Sequence, residues 1–126
     1  MNTAIGLLLV LAQNGIFDAH TGVGINPKAG SFVYDKMSGE YRVSGGGANI
    51  WGTQDAFHYA YRRVSGDITL QADLSLVGKG VNAHRKAVLM VRQDLDADSA
   101  YADIAIHGDG LTSLQYRAVK DRKSVV

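Results

Sequence analysis

Residues 57–77, FHYAYRRVSGDITLQADLSLV, decide the fold class of this chain. In residues 68–77, apolar side chains alternate with polar ones along the whole segment, and in residues 57–65 the rings of Phe57, Tyr59 and Tyr61 share one parity. Such alternation with a period of two is typical of strands that bury one face. Ser65-Gly66-Asp67 separates the two segments as a turn. The stretch therefore predicts two consecutive strands, and residues 68–77 carry the clearest strand signal in the sequence.

The rest of the chain repeats this pattern of short strands and turns. Residues 37–40 and Gly108-Asp109-Gly110 have the composition of hairpin turns. Fifteen glycines accompany a single proline, and no segment requires a helix. The remaining strands are predicted at residues 31–36, 40–44, 48–51, 86–94, 99–107 and 111–118. Seven or eight strands at this spacing predict an all-β, antiparallel β-sandwich or barrel.

Composition excludes several classes of function. With 126 residues the chain forms one domain at most, and its formal net charge is +1. Nucleic acids and anionic membrane surfaces require clustered Lys and Arg, which the chain lacks. The sequence contains no cysteine, so it has no disulfide framework, thiol nucleophile or cysteine zinc site.

The N-terminal segment suggests export. Residues 3–12, TAIGLLLVLA, form an apolar run that is too short to span a bilayer. The run resembles the apolar core of a signal peptide, and Val10 and Ala12 fit the small-residue cleavage pattern. A buried first strand is the alternative. We expect residues 1–12 to be a partial signal peptide and the protein to be periplasmic or extracellular.

The C-terminal hexapeptide is unusual. Residues 121–126, DRKSVV, follow a regular strand pattern abruptly, and one reading frame of a common sequencing adaptor encodes this peptide. We expect it to be a non-native tail, which leaves residues 13–120 as the domain.

Several short motifs together resemble a known family. They are YRVSG (41–45), NIWG (49–52), DAFH (55–58), SGD (65–67) and AVLMVR (87–92). In this combination they resemble the concanavalin A-like jelly-roll domains of secreted bacterial proteins. HRK (84–86) and LDADSAY (95–101) are most similar to the version that precedes a TolB-like β-propeller.

The resemblance implies a fold and a class of function. Members are jelly rolls of two antiparallel sheets that serve as carbohydrate-binding or protein-contact modules. Relative to the family this chain is short, so a complete domain would need further strands after Lys120. Without them sheet edges would stay open, which favours association.

Five residues are candidate ligand contacts: Trp51, Asp55, His58, Arg85 and Arg92. Trp51 offers a flat apolar face on which a sugar ring can stack, whereas the aromatics of residues 57–61 also fit a sandwich core. Arg92 lies in an apolar strand and needs a carboxylate or carbonyl partner if it is buried. It is either half of a structural ion pair with an aspartate or a ligand anchor.

Asp94, Asp96 and Asp98 have the 1, 3, 5 oxygen spacing of a calcium loop. Ser99 and Ala105 occupy the positions of the turn glycine and the bidentate glutamate of an EF-hand, so that motif is excluded. An irregular Ca²⁺ site and a solvated turn are the two interpretations. No other cofactor is predicted.

Other catalytic motifs are missing. Gly45-Gly46-Gly47 lacks the Lys-Ser/Thr of a phosphate loop, so we expect these glycines to supply positive φ or close packing. Glu40 is the only glutamate, whereas glycosidases use a pair of carboxylates, and the nucleophile elbow of serine hydrolases does not occur. The four histidines lack the spacing of a metalloprotease helix, although they can still converge in space.

These observations predict a noncatalytic recognition or spacer module of an exported bacterial protein, with a carbohydrate as the candidate ligand. The first alternative is a protein-contact module that packs on a following β-propeller. A fragment of a glycoside hydrolase is the second.

Overall fold

The structure is a computed structural model that describes residues 14–126, so the predicted signal peptide lies outside the described residues. These residues contain no helix, and hence none that could cross a membrane. They form seven strands: β1 (Ala19–Val23), β2 (Ser31–Asp35), β3 (Glu40–Ser44), β4 (Phe57–Tyr61), β5 (Lys86–Arg92), β6 (Tyr101–His107) and β7 (Thr112–Arg117). Three antiparallel sheets result, β1–β4, β2–β3 and β5–β6–β7. The all-β prediction is confirmed, and the sheets are consistent with a β-sandwich.

Both predicted hairpins are present because their turns are specified locally. In the β2–β3 turn the Asp35 carboxylate accepts hydrogen bonds from the backbone N–H groups of Met37 and Ser38, at 2.9 and 3.4 Å. In the β6–β7 turn the Asp109 carboxylate accepts from the Leu111 N–H at 3.0 Å. Asp side chains that bond backbone groups two residues on stabilise such turns without help from the rest of the fold.

Strand β1 was not predicted, and only its partner explains it. Its sequence AHTGV is short and weakly apolar. It pairs with β4 so that Val23 lies opposite Phe57, and both side chains are buried. The pairing crosses the intervening β2–β3 hairpin, so it is a tertiary contact that local patterns do not specify.

Two predicted strands are wrong. Residues 48–51 form a loop, and residues 68–77 run without strand pairing. In the second segment Leu74 and Leu76 are half-buried whereas Ile68 and Leu70 are exposed. Alternation of apolar and polar residues indicates that a segment has one apolar face. To form a β-strand, the segment also needs a neighbouring strand with which its backbone can form hydrogen bonds. Residues 70–74 instead line a cleft of about 370 Å³ with Leu89, Ile104 and Ile106.

The core lies between β4 and the sheet β5–β6–β7. It consists of Val23, Ile50, Phe57, Met90 and Tyr101, and Tyr59 and Val88 pack against it. The Tyr59 hydroxyl donates a hydrogen bond to the Met90 carbonyl at 3.3 Å, which satisfies its polar end. The sequence pattern predicted that the aromatic residues of β4 fill a sandwich core, and Phe57 and Tyr59 do so.

The hexapeptide 121–126 contacts the domain. Ser124 is buried, its N–H donates to the Gly52 carbonyl at 2.9 Å, and Val125 forms an antiparallel bridge with Tyr116. Its non-native origin stays a prediction. Sequencing the gene past the codon for Lys120 would test it.

Candidate functional site

The sheet β5–β6–β7 buries many polar side chains. The face that packs on β4, here called the inner face, carries the core residues Val88, Met90 and Tyr101. It also carries polar side chains: Lys86, Arg92, Asp103, His107, Ser113, Gln115 and Arg117. The opposite, outer face carries apolar side chains, and Val91, Ile104, Leu114 and Tyr116 are exposed on it. A sheet in a soluble domain usually buries its apolar face. The inner and outer faces are therefore the two candidate functional surfaces.

A buried ion-pair network organises one end of the inner face. Asp55 lies 3.1 Å from Arg92 Nη1 and 2.8 Å from Arg117 Nη2, and all three side chains are at most 1% exposed. The guanidinium groups also lie over aromatic rings, Arg92 at 5.2 Å from Phe57 and Arg117 at 5.1 Å from Tyr101. Both arginines thus gain cation–π contacts in addition to the carboxylate.

Arg117 holds several segments together. It donates to the Asp55 carboxylate from two nitrogens, to the Ser99 carbonyl at 2.9 Å and to the Gly52 carbonyl at 3.0 Å. Hydrogen bonding to Asp55 raises the pKa of Arg117, because it stabilises the charged form. The structural ion pair proposed for Arg92 is therefore present, with Asp55 as its partner, and these two predicted ligand contacts are engaged with each other.

The middle of the inner face contains hydrogen-bond acceptors without donors. Asp103 is 2% exposed and neither of its carboxylate oxygens has a partner among residues 14–126; the same holds for Gln115 Oε1 on the adjacent strand. Burial raises the pKa of Asp103 to about 7, although Lys86 partly opposes this shift. A buried carboxyl group without donors is costly to ionise.

Donors lie around these acceptors. Lys86 donates to the Ile50 carbonyl at 3.3 Å, and burial lowers its pKa. His107 Nδ1 lies 3.0 Å from the Leu111 carbonyl, and its Nε2 lies 3.4 Å from Gln115 Nε2. No motif in the sequence predicted this group. The available signal was the polar residues Asp103 and His107 at alternating positions of β6, on the opposite face from Ile104.

Trp51 lies on a loop, residues 45–56, that covers the inner face. It is 38% exposed, whereas its neighbour Ile50 is buried. Arg117 and Lys86 hold the loop through the Gly52 and Ile50 carbonyls. Trp51 is thus an exposed aromatic ring on a loop whose backbone is fixed to the sheet.

The three consecutive glycines that begin this loop serve close packing. A Cβ on Gly47 would lie 1.9 Å from the Ala56 carbonyl oxygen, and one on Gly46 would lie 2.9 Å from the Lys28 Cβ. None of the three has positive φ. Of the two roles predicted for these glycines, positive φ and close packing, the structure shows close packing.

The other two predicted ligand contacts lie apart from the network. His58 Nε2 is 3.0 Å from His20 Nδ1, and the pKa of His58 is lowered by partial burial and by His20. Arg85 donates to the carbonyls of Val77 and Gly78 at 3.4 and 2.8 Å. The contacts of the five predicted residues therefore divide among separate parts of the domain.

The three aspartates predicted for Ca²⁺ do converge, but on a lysine. The Lys120 ammonium lies 3.6, 2.5 and 3.5 Å from Asp94, Asp96 and Asp98. Hydrogen bonding to Asp96 raises the pKa of Lys120. Within residues 14–126 no group of three or more metal-ligating side chains is arranged to hold an ion. An ammonium group occupies the position predicted for the cation.

Fold and site together define an all-β domain in which one sheet buries polar groups beside the core on its inner face and exposes apolar side chains on its outer face. No protein-family model matches the chain, and no curated protein or solved structure is significantly similar to it.

Proposed function

We propose that this chain is a noncatalytic recognition or spacer module of an exported bacterial protein, built as a concanavalin A-like jelly roll, and that it binds a glycan on its inner face. The resemblance of its motifs supports the fold. The pairing of β1 with β4 across the β2–β3 hairpin also supports it, because Greek-key folds use such return connections.

The group of unpaired acceptors carries the glycan proposal. Asp103 and Gln115 together present three oxygen atoms that lack donors among the described residues. Sugar hydroxyl groups donate to such acceptors and accept from cationic donors, here Lys86. A ligand with several hydroxyl groups therefore matches both the acceptors and the donors of the inner face.

Access to the inner face requires movement of the loop that carries Trp51. The loop contains no regular strand; Lys86 and Arg117 hold it through the Ile50 and Gly52 carbonyls, and Arg92 and Arg117 hold it through the Asp55 carboxylate. With the loop lifted, the Trp51 ring lies at the entrance, where an aromatic face stacks on a pyranose.

The test is a glycan array followed by calorimetry on the chain and three variants. Trp51→Ala should weaken binding by at least about tenfold, the scale of a lost aromatic contact. Tyr116→Ala is the matched control, because Tyr116 is 41% exposed on the outer face. Asp103→Asn should also weaken binding without loss of stability, as worked out in the Discussion. No hit from the folded protein, or equal losses in the Trp51 and Tyr116 variants, would count against a glycan.

The outer face favours a second candidate, the protein-contact module. Ile104 and Leu114 are 55% and 59% exposed on the same face as Val91 and Tyr116. Contiguous exposed apolar side chains of this kind mark interaction surfaces. We propose as occupant a domain that follows in the same polypeptide, which the resemblance suggests is a β-propeller.

Hydroxyl-radical footprinting would test the contact. In the longer polypeptide, labelling of Leu114 and Tyr116 should fall several-fold relative to the isolated chain, while Trp51 stays labelled. Equal labelling of the outer face in both proteins would refute packing on a following domain.

A glycoside hydrolase is the third candidate. Its favouring observation is that two buried carboxyl groups differ in their partners: Asp55 is bonded to two arginines, whereas Asp103 has no donor among the described residues. Against it, both Asp55 oxygens are bonded to arginine. Reducing-sugar release from array-positive glycans, abolished by Asp103→Asn, would contradict the noncatalytic proposal.

A further inference from the structure

His20 and His58 bring two imidazole nitrogens together on the β1–β4 sheet. His20 Nδ1 lies 3.0 Å from His58 Nε2. In the strand register His20 is opposite Ala60 and His58 is opposite Gly22, so the two histidines are diagonal neighbours on one face. His20 is exposed and His58 is partly exposed, so solutes can reach the pair.

Packing holds both rings in place. His20 stacks on Phe32, with ring centroids 5.2 Å apart and planes 28° apart. The His58 ring lies against the backbone of Gly30, where a Cβ would come within 2.2 Å of its Nδ1. The His58 Nε2 is therefore the nitrogen that faces His20. Ligands held by packing lose little freedom when they bind a metal ion.

The separation of the two nitrogens matches one coordination geometry. Imidazole nitrogens bind divalent transition metals at about 2.0 Å. Nitrogens 3.0 Å apart would then subtend an angle of about 97° at the metal, nearer to the right angle of a tetragonal site than to a tetrahedral angle. Cu²⁺ and Ni²⁺ prefer tetragonal sites, and Cu²⁺ binds most tightly in the Irving–Williams order.

We propose that His20 and His58 form a two-histidine chelate for Cu²⁺. On metal binding the proton that the two rings now share moves to the other nitrogen of the ring that donates it, and each ring turns its lone pair towards a point about 1.3 Å from the line between the nitrogens. Within the described part of the chain no third ligating side chain joins the pair, so water or a small-molecule ligand fills the other positions. Bound metal links β1 to β4.

The experiment is a Cu²⁺ titration of the untagged chain, by calorimetry and pulsed electron paramagnetic resonance. We expect two equatorial imidazole nitrogens in the parent protein. His20→Gln and His58→Gln should each lower the affinity by at least about tenfold, because each removes half of the protein ligands. His84→Gln is the matched control, since His84 neighbours another histidine, His107, with ring centroids 6.4 Å apart; its affinity should be unchanged.

The spectrum of the parent decides the proposal even if a glutamine variant fails to fold. A Cu²⁺ signal with fewer than two imidazole nitrogens, or no binding by the parent, overturns it. Parent-like affinity in both folded His20 and His58 variants overturns it as well.

Discussion

The substitution Asp103→Asn should stabilise the protein in alkaline solution and have little effect in acid. Asp103 is buried without donors, and its pKa is raised from 3.8 to about 7. One pKa unit corresponds to about 1.4 kcal/mol, so the carboxyl group costs the folded state about 4 kcal/mol when ionised. Asparagine has the same shape and stays neutral at every pH.

The sign follows from the two protonation states. At a pH well below 3.8 the carboxyl group is protonated in both the folded and the unfolded protein, and it costs nothing. As the pH rises towards 7, the unfolded chain releases the proton while the folded protein retains it, so stability falls. Above the folded-state pKa the full cost of burying the carboxylate is present. We therefore expect Asp103→Asn to be more stable than the parent by about 2 to 4 kcal/mol at about pH 8, and by less than about 1 kcal/mol at about pH 4.

Urea unfolding at both pH values, followed by circular dichroism, measures the difference. Asp67→Asn is the control, because Asp67 is an exposed aspartate in a bend, and its effect should stay within about 0.5 kcal/mol. If the stability of Asp103→Asn relative to the parent did not change with pH, or if the variant were less stable than the parent at alkaline pH, Asp103 would not be a buried carboxyl group that is costly to ionise.

Four further substitutions test other parts of the structure. Asp55→Asn leaves two buried guanidinium groups without a counter-charge and should lower the free energy of unfolding in urea by about 3 to 5 kcal/mol. Lys120→Gln breaks only exposed ion pairs and should lower it by less than about 1 kcal/mol. Similar losses of stability in the two variants would contradict a stabilising role for the buried Asp55 ion pairs. Lys120→Gln also frees three carboxylates, so millimolar Ca²⁺ should raise the melting temperature of this variant but not of the parent. Gly47→Ala forces a methyl group against a backbone carbonyl and should lower the free energy of unfolding by more than about 1 kcal/mol. Gly39 lies in open space but at positive φ, so Gly39→Ala should lower it by about 1 kcal/mol. A Gly47→Ala variant as stable as the parent would exclude close packing at Gly47.

Turns and hairpins were predictable because their causes are local. Asp35 and Asp109 each bond backbone groups within three residues, so the pattern of turn residues between alternating segments is sufficient. The same locality explains why the three aspartates near β5 converge as their spacing suggested. Their partner Lys120 is 24 residues from Asp96, and the spacing of the aspartates contains no information about it.

The candidate site was only partly predictable. The chemistry of Arg92 in an apolar strand indicated a buried partner, but the choice of Asp55 depends on how the loop before β4 packs on β5. Asp103 and Gln115 became candidates only when their strands paired and both side chains were found without donors.

Local sequence patterns specify an all-β domain with hairpins at β2–β3 and β6–β7, because alternation and turn chemistry act over a few residues. Which segments pair with a neighbouring strand depends on the tertiary fold: residues 19–23 do, and residues 68–77 do not. The tertiary fold also decides which polar groups meet, since Arg117 and Asp55 are 62 residues apart and His20 and His58 are 38 apart. Contacts at such separations depend on how whole strands pair and pack, which no local pattern specifies.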